Sequence, residues 1–438
     1  MDAELGLAYT TRPKFKKTKR ILLPGNFLVI CVSFSVLVFL AGSILFHSRL
    51  PANSSSKVER LESTLGINHL GSKRLLPIEY DVDYQEFPFL LESVQSFVQR
   101  ISPRIEWSQS NPKAKDTIFI SVPSYRDTLC SSTLEQIFRK ARNPRRVFVG
   151  VCDQIDPEHD PECRAPEEFK QQVRYVRMHY KFSRGPTLAR YIVSKLWDGE
   201  EFFFLIDAHS HFLQDWDEIL VDQARRLPEP SRAIISHYPV AEDRLLGFNE
   251  YRHLPVICKV KWEGVPKNFM LQLCEDCTRL ERNPGEISCV SAFIGAGFTF
   301  GPARMILDVP YDRYLPWLFQ GEEMLMAARL WTSGWEFYAP ITNLMSHVYG
   351  TRNHSYFGEV TRNPAEEEAT FNRVRFLMGV IPTPPETNTF ELKDLGMGKV
   401  RTLQEYLDFS GLDLINGKHE SRCGKRFDRK LRRWIDSR

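Results

Sequence analysis

Glu201-Phe-Phe-Phe-Leu-Ile-Asp207-Ala-His209 is the stretch on which the reading of this chain turns. An unbroken apolar run of this length suits a strand covered on both faces. The run stops at Asp-x-His. Residues i and i+2 of an extended chain point the same way, so Asp207 and His209 can converge on one point. One carboxylate and one imidazole make a mixed oxygen and nitrogen set, suited to a divalent cation such as Mn2+. Taken alone the motif also fits an Asp that caps a helix beside a surface His.

Working outward, short apolar runs alternate with helical patterns. Thr117 to Val122, Arg146 to Cys152 and Gln172 to Met178 read as strands, and Thr133 to Ala141 and Gly185 to Leu196 read as helices. Strands alternating with helices predict an α/β fold with a mostly parallel, Rossmann-like sheet. In such sheets ligands bind beyond the carboxyl ends of the strands, where Asp207 and His209 lie.

Other candidate site residues fall around this strand. Ser183-Arg-Gly-Pro-Thr187 opens the preceding helix, with Arg190 further along it. Pro suits a helix start, helix N-termini attract phosphate, and Arg184 or Arg190 can add bidentate contacts. Ordinary surface arginines are the alternative. Gly295-Ala-Gly297-Phe-Thr-Phe-Gly301 permits close backbone approach to a ligand, or is simply a tight turn. Glu322 and Glu323 open an amphipathic helix, where the dipole favours acids in any case; the functional reading is a carboxylate that binds substrate. His347 follows a strand-like segment and would complete an Asp/His/His ligand set.

The N-terminus sets the expected compartment. Phe27 to Phe46 carries no charge and is long enough to cross roughly 30 Å of hydrocarbon as a helix. Six basic residues from Arg12 to Arg20 precede it, which orients the N-terminus to the cytosol and the rest to a lumen or the outside. A cleaved signal peptide is the rival, but its apolar region would be shorter. The expected layout is a basic tail (1–20), a signal anchor (21–46), a stem (47–115) with an amphipathic helix from Phe87 to Ile101, a catalytic domain (116–350), and an extension (351–438) ending in a basic helix around Trp434. The stem helix would dock on the catalytic domain or on a second subunit. Eight of the nine cysteines lie beyond the anchor, where disulfides are expected; Cys274-Glu-Asp-Cys277 lacks the second pair that zinc would want. Asn353-His-Ser355 and Asn53-Ser-Ser55 are glycosylation sequons. A net charge of +3 gives no field that would select nucleic acid.

The ordered motifs carry a resemblance. They are Ile120-Ser-Val-Pro-Ser-Tyr-Arg-Asp127, Asn143-Pro-Arg-Arg-Val-Phe-Val-Gly-Val-Cys152, Ser183-Arg-Gly-Pro-Thr-Leu-Ala-Arg-Tyr191, Asp207-Ala-His209, Gly321-Glu-Glu-Met-Leu-Met-Ala-Ala-Arg-Leu-Trp-Thr-Ser-Gly-Trp335 and the final His347. Together, over roughly residues 116 to 350, they resemble glycosyltransferases that move N-acetylglucosamine from UDP-GlcNAc to polypeptide hydroxyls. That group includes the enzyme acting on hydroxyproline of the Skp1 protein. The layout is also similar to polypeptide N-acetylgalactosaminyltransferases. The resemblance implies a GT-A fold with a DxD-type metal motif, written here as Asp-Ala-His. It implies Mn2+ or another divalent metal on Asp207, His209 and His347, and a substrate-binding Glu322 with Glu323 second. It also implies nucleotide-sugar contacts from Ser124, Tyr125, Arg126, Arg184, Gly185, Arg190, Asp207, Gly295 and Gly297. Both groups retain anomeric configuration, which implies front-face attack with the leaving diphosphate taking the proton. A type II protein of the Golgi membrane is expected, with the ER as alternative, acting on Ser, Thr or hydroxyproline of a protein or glycoprotein. The alternatives are another UDP-sugar, a glycan acceptor, or a non-catalytic lumenal partner that keeps the fold.

Overall fold

The computed structural model describes residues 79–81, 115–242, 253–263, 270–273, 280–281, 285–286, 289–350, 354, 356–385 and 388–436. All of them belong to one compact unit, residues 74–438. The apolar run 27–46, the stem helix, both sequons, Cys31, Cys274 and Cys277 lie outside the described residues. Among the described residues no helix is long and apolar enough to cross a membrane.

The chain alternates as the sequence pattern predicts. In order come β1 (Glu79–Asp81), β2 (Ile118–Tyr125), α1 (Cys130–Arg139), β3 (Val147–Ile155), β4 (Val173–His179), α2 (Pro186–Ser194), β5 (Phe202–Ile206), β6 (Ser210–Phe212), α3 (Trp216–Arg226), β7 (Ala233–Ser236) and β8 (Val240–Ala241). The second half adds β9 (Cys289–Ser291), β10 (Phe298–Pro302), α4 (Arg304–Asp308), α5 (Glu322–Thr332), β11 (Glu336–Ala339) and β12 (Met345–His347). It ends with α6 (Tyr356–Glu359), α7 (Pro364–Leu377), α8 (Leu403–Ser410), β13 (Lys425–Asp428) and β14 (Arg433–Asp436).

Nine strands form the main sheet, in the order β1-β4-β3-β2-β5-β10-β7-β11-β9. From β1 to β5 every pairing is parallel, whereas β10 runs antiparallel to both β5 and β7. The sheet is therefore mixed, with the parallel part first in sequence. Each face has its own apolar layer. Phe119, Phe203 and Leu205 face α2 and α5, while Ile120, Phe204 and Ile206 face α1 and α3. Side chains alternate across a strand, so the unbroken run 202–206 fills both layers at once.

The chain end departs from expectation in two ways. Residues after 350 share the main core: Val374, Leu377, Tyr406, Phe409 and Leu412 pack in the same cluster as Phe293 and Trp331. The expected basic helix over 425–438 is instead an antiparallel hairpin of β13 and β14. Its register sets Phe427 opposite Trp434, and both rings pack on Phe409 at centroid distances of 5.1 and 5.3 Å. Cross-strand aromatic pairs of this kind stabilise hairpins. Asp428 accepts from the backbone N–H of Lys430 (2.8 Å) and Leu431 (2.9 Å), which closes the turn.

Among the described residues there are two disulfides, Cys130–Cys163 and Cys258–Cys423. The first ties the start of α1 to the loop after β3, and the second ties the C-terminal hairpin to the body. Cys152 and Cys289 are buried free thiols, so not every cysteine after the apolar run is paired. Both lie on strands among apolar side chains, and burial pushes the Cys289 thiol up to about 12.

Candidate active site

β5 delivers Asp207 to the carboxyl edge of the parallel strands, and two registers build the site around it. In the main sheet Phe298 pairs with Ile206, so Gly297 comes opposite Asp207. A Cβ on Gly297 would stand 2.8 Å from Asp207 Oδ2, closer than side chains tolerate. The glycine therefore makes the room in which the carboxylate sits. Gly295 is just as constrained: its Cβ would lie 2.8 Å from the carbonyl oxygen of His237.

The second register belongs to a separate three-stranded sheet, β6-β12-β8. It pairs His347 with Ser210 and so brings a residue 138 positions away beside His209. His347 Nε2 lies 3.1 Å from Asp207 Oδ2 and 2.8 Å from His209 Nε2. One donor atom from each of Asp207, His209 and His347 falls within 4.8 Å of the others.

The histidine rings are held from behind. Asp127 Oδ2 lies 2.7 Å from His209 Nδ1, and both side chains are buried. A carboxylate there favours a proton on Nδ1, which turns the Nε2 lone pair toward the cluster. Thr133 on α1 fixes the backbone: its hydroxyl donates to the Ala208 carbonyl (2.9 Å) and accepts from the Ser210 N–H (3.1 Å). Neither Asp127 nor Thr133 is identified as a site residue by the sequence reading. The one signal is the position of Asp127 directly after Tyr125-Arg126, at the end of β2. His347 rests against the ring of Tyr349, with centroids 4.2 Å apart.

Burial opposes the charge of Asp207. The His347 hydrogen bond and the nearby His347, His209 and Arg190 outweigh it, and hold the carboxyl well below the usual range. Arg190 Nη2 is 3.8 Å from Asp207 Oδ1, and its other guanidinium arm pairs with Glu322. Burial works against Arg190 as well, but Glu322 and Asp207 keep it charged.

Both carboxylates at the start of α5 reach to other elements. Glu322 accepts from Arg190 and from the Thr187 hydroxyl (2.7 Å), which locks α2 to α5. Glu323 accepts from Tyr238 Oη and from the Ala296 N–H, each at 2.6 Å. Burial nevertheless lifts Glu323 to about 7, against both hydrogen bonds. Gly321, at φ +89°, makes the turn into α5, a backbone region that favours glycine. A cavity of about 40 Å³ lies behind Arg190, Glu322 and Glu323, walled by Leu205, Met305 and Tyr311.

The remaining predicted residues divide. Tyr125 donates to Glu359 (3.1 Å); Arg126 binds Asp160 through two nitrogens (2.6 and 2.9 Å), reaches Glu359 at 3.2 Å and covers the Tyr180 ring. Tyr125 ends β2 and Arg126 directly precedes Asp127, so this group adjoins the Asp/His/His cluster along the chain. Ser124, next to Tyr125 on β2, is fully buried in the sheet. Arg184 bonds the carbonyls of Lys181 (3.3 Å) and Ser183 (3.0 Å) and lies over Trp317. Gly185, at φ +98°, turns the chain into α2 ahead of Pro186.

The mixed α/β sheet thus ends in an Asp/His/His cluster whose donor atoms could hold a metal ion. Residues 117–172 and 162–416 match the model of the GlcNAc glycosyltransferase family, described as Glycosyltransferase (GlcNAc). That is more than half of the chain, which belongs to this family. No curated protein matches. Among solved structures the chain is similar to GalNAc-T7 with UDP, GalNAc and Mn2+ at 12% identity and TM-score 0.40, covering 67% of this chain and 56% of that one. It is also similar to S. aureus TarS 1-349 in complex with UDP-GlcNAc, at 11% identity and TM-score 0.38, covering 61% of this chain and 68% of that one. The chain thus spans little more than half the length of the first of these.

Proposed function

We propose that this glycosyltransferase moves N-acetylglucosamine from UDP-GlcNAc to a hydroxyl of a protein acceptor, with a divalent metal such as Mn2+ held by Asp207, His209 and His347. The observation that carries the proposal is the convergence of three ligand-type atoms within 4.8 Å, two from the link between β5 and β6 and one from β12. The donor set fits such an ion. One carboxylate oxygen and two imidazole nitrogens face one another, Asp127 orients one ring from behind, and Gly297 leaves space at the carboxylate.

A bound divalent ion supplies charge neutralisation for the diphosphate as the glycosidic bond breaks. The protein's own groups do the rest. Arg190 adds a fixed positive charge beside Asp207, in a buried setting where charge counts for more. Glu322, positioned by Thr187 and Arg190, presents a carboxylate suited to sugar hydroxyls. The reaction is read as retaining, with front-face attack. Tyr125 and Arg126, set by Asp160 and Glu359, form the wall against which the nucleotide is read to lie.

The charge-free run Phe27–Phe46 behind a basic tail supports a type II anchor, in the Golgi membrane, with the catalytic unit lumenal. The two disulfides agree with an oxidising lumen. The deciding experiment incubates the full chain with a panel of UDP-sugars and Mn2+ and measures UDP release. UDP-GlcNAc should be the preferred donor, and chelation should abolish release. Preference for another UDP-sugar would replace the donor assignment. Full-rate release from Asp207→Ala would remove the metal assignment.

A further inference from the structure

A second concave site lies away from the Asp/His/His cluster, between the C-terminal hairpin and the end of α5. It is a groove of about 360 Å³, within the range of roughly 300–1,000 Å³ common for small-ligand sites. Its charged lining consists of Arg401, Arg429, Arg432 and Glu336. Three guanidiniums line the groove against one carboxylate, with a second, Glu229, 3.9 Å from Arg429 and outside the lining.

Each arginine is held differently. Arg401 lies on the Trp331 ring, 3.9 Å from its centroid, and donates to the carbonyls of Trp331 (2.8 Å) and Trp335 (2.7 Å). Burial, together with Arg432 and Arg429 set against Glu336 and Glu405, holds it at about 10, low for a guanidinium. Arg429 is paired with Glu336 at 2.5 Å and with Tyr338. Arg432 makes no ion pair among the described residues. It sits at φ +49°, an uncommon backbone region for a non-glycine residue, in the turn closed by Asp428. The hairpin carrying Arg429 and Arg432 is fixed to the body by Trp434 Nε1, which donates to the Phe409 carbonyl (2.7 Å), and by Cys258–Cys423. Arg401 and Arg429 are thus placed before any ligand arrives, and the hairpin turn sets the exposed Arg432 beside them.

Guanidinium groups match oxyanions in geometry and charge, and several in one groove outbid water for a phosphate or sulfate. We propose that this groove binds an oxyanion, a phosphate or sulfate group, either free or carried on a sugar. The site lies outside the donor-site reading and does not depend on it.

The test is calorimetric titration of the full chain, without divalent metal, at matched ionic strength. The probes are inorganic phosphate, glucose 6-phosphate and glucose. Both phosphate-bearing probes should bind and glucose should not; tighter binding of one phosphate over the other shows whether the site reads the sugar. Arg432→Gln, which removes no structural contact, should weaken binding about tenfold, the loss of one charge-assisted contact. Glu336→Gln removes the opposing carboxylate and should tighten binding, a gain that a damaged fold would not give. Glucose binding as well as glucose 6-phosphate, or affinity unchanged in both variants, overturns the proposal. So does an absence of phosphate binding.

Discussion

Gly297→Ala separates site geometry from stability within one substitution. Its Cβ would lie 2.8 Å from Asp207 Oδ2, against 3.4 Å or more in ordinary contact, so the carboxylate must retreat by about 0.6 Å, the difference between the two. Its next neighbour, Pro239 Cδ, is 3.9 Å away and unaffected. The backbone at 297 is not in the left-handed region, so alanine fits its conformation. Replacing glycine at such a position stabilises by roughly 0.4–1 kcal/mol through the unfolded chain. Misplacing a reacting group by about 1 Å can cost on the order of 100-fold, so a retreat of this size should cost roughly 10- to 100-fold, or about 1.4–2.7 kcal/mol in barrier. The assay is UDP release from UDP-GlcNAc across a Mn2+ titration, paired with thermal melts of both proteins. The expected result is a rate loss and a higher Mn2+ requirement, with a melting temperature equal to or above that of the parent. A Gly297→Ala protein with the parent rate and Mn2+ dependence would refute the role given to this glycine. A large drop in melting temperature would show that the close contact is relieved through the backbone and not through Asp207.

Three further expectations follow from named contacts. Asp127→Asn removes the charge behind His209 Nδ1 and should weaken Mn2+ binding by about 10- to 100-fold, measured directly by titration of the metal; unchanged affinity would remove Asp127 from the site. Glu323, raised to about 7 by burial, binds its proton more tightly folded than unfolded. Its contribution to stability is therefore full below about pH 4.5 and is lost as pH rises through about 7, on the order of 3 kcal/mol in all. Glu323→Gln should flatten denaturant stability between pH 5 and 8, and parallel curves for the two proteins would contradict this. Cys423→Ser opens the link between the hairpin and the body and should lower stability by about 2–4 kcal/mol in denaturant melts; no change would mean that packing on Phe409 alone holds the hairpin.

Much of the fold is legible because its signals are local. The run Phe202–Ile206 is apolar at every position, and the chain around it alternates strand and helix with short turns. The C-terminal segment is misread for the same reason. Phe427 and Trp434 are seven residues apart, a spacing that suits one face of a helix, but they meet as cross-strand partners. Only contact with Phe409, itself brought there by α8, distinguishes the two arrangements. Sequence likewise gives no sign that residues 374–412 complete the core beside Trp331, because that depends on which faces meet.

For the site, the sequence by itself determined the chemistry of the parts: an Asp-x-His at the end of a buried strand, a late histidine, a Gly-x-Gly and a pair of glutamates. Tertiary structure decided which of them meet. The β6–β12 register carries His347 to His209, and the β5–β10 register carries Gly297 to Asp207. Asp127 becomes a partner of His209 only because β2 and β5 are parallel neighbours whose ends lie side by side. Side-chain type is written residue by residue. Convergence depends on hydrogen-bond registers between strands far apart in the chain, and a one-residue slip in any of them would turn the same ligands to opposite faces.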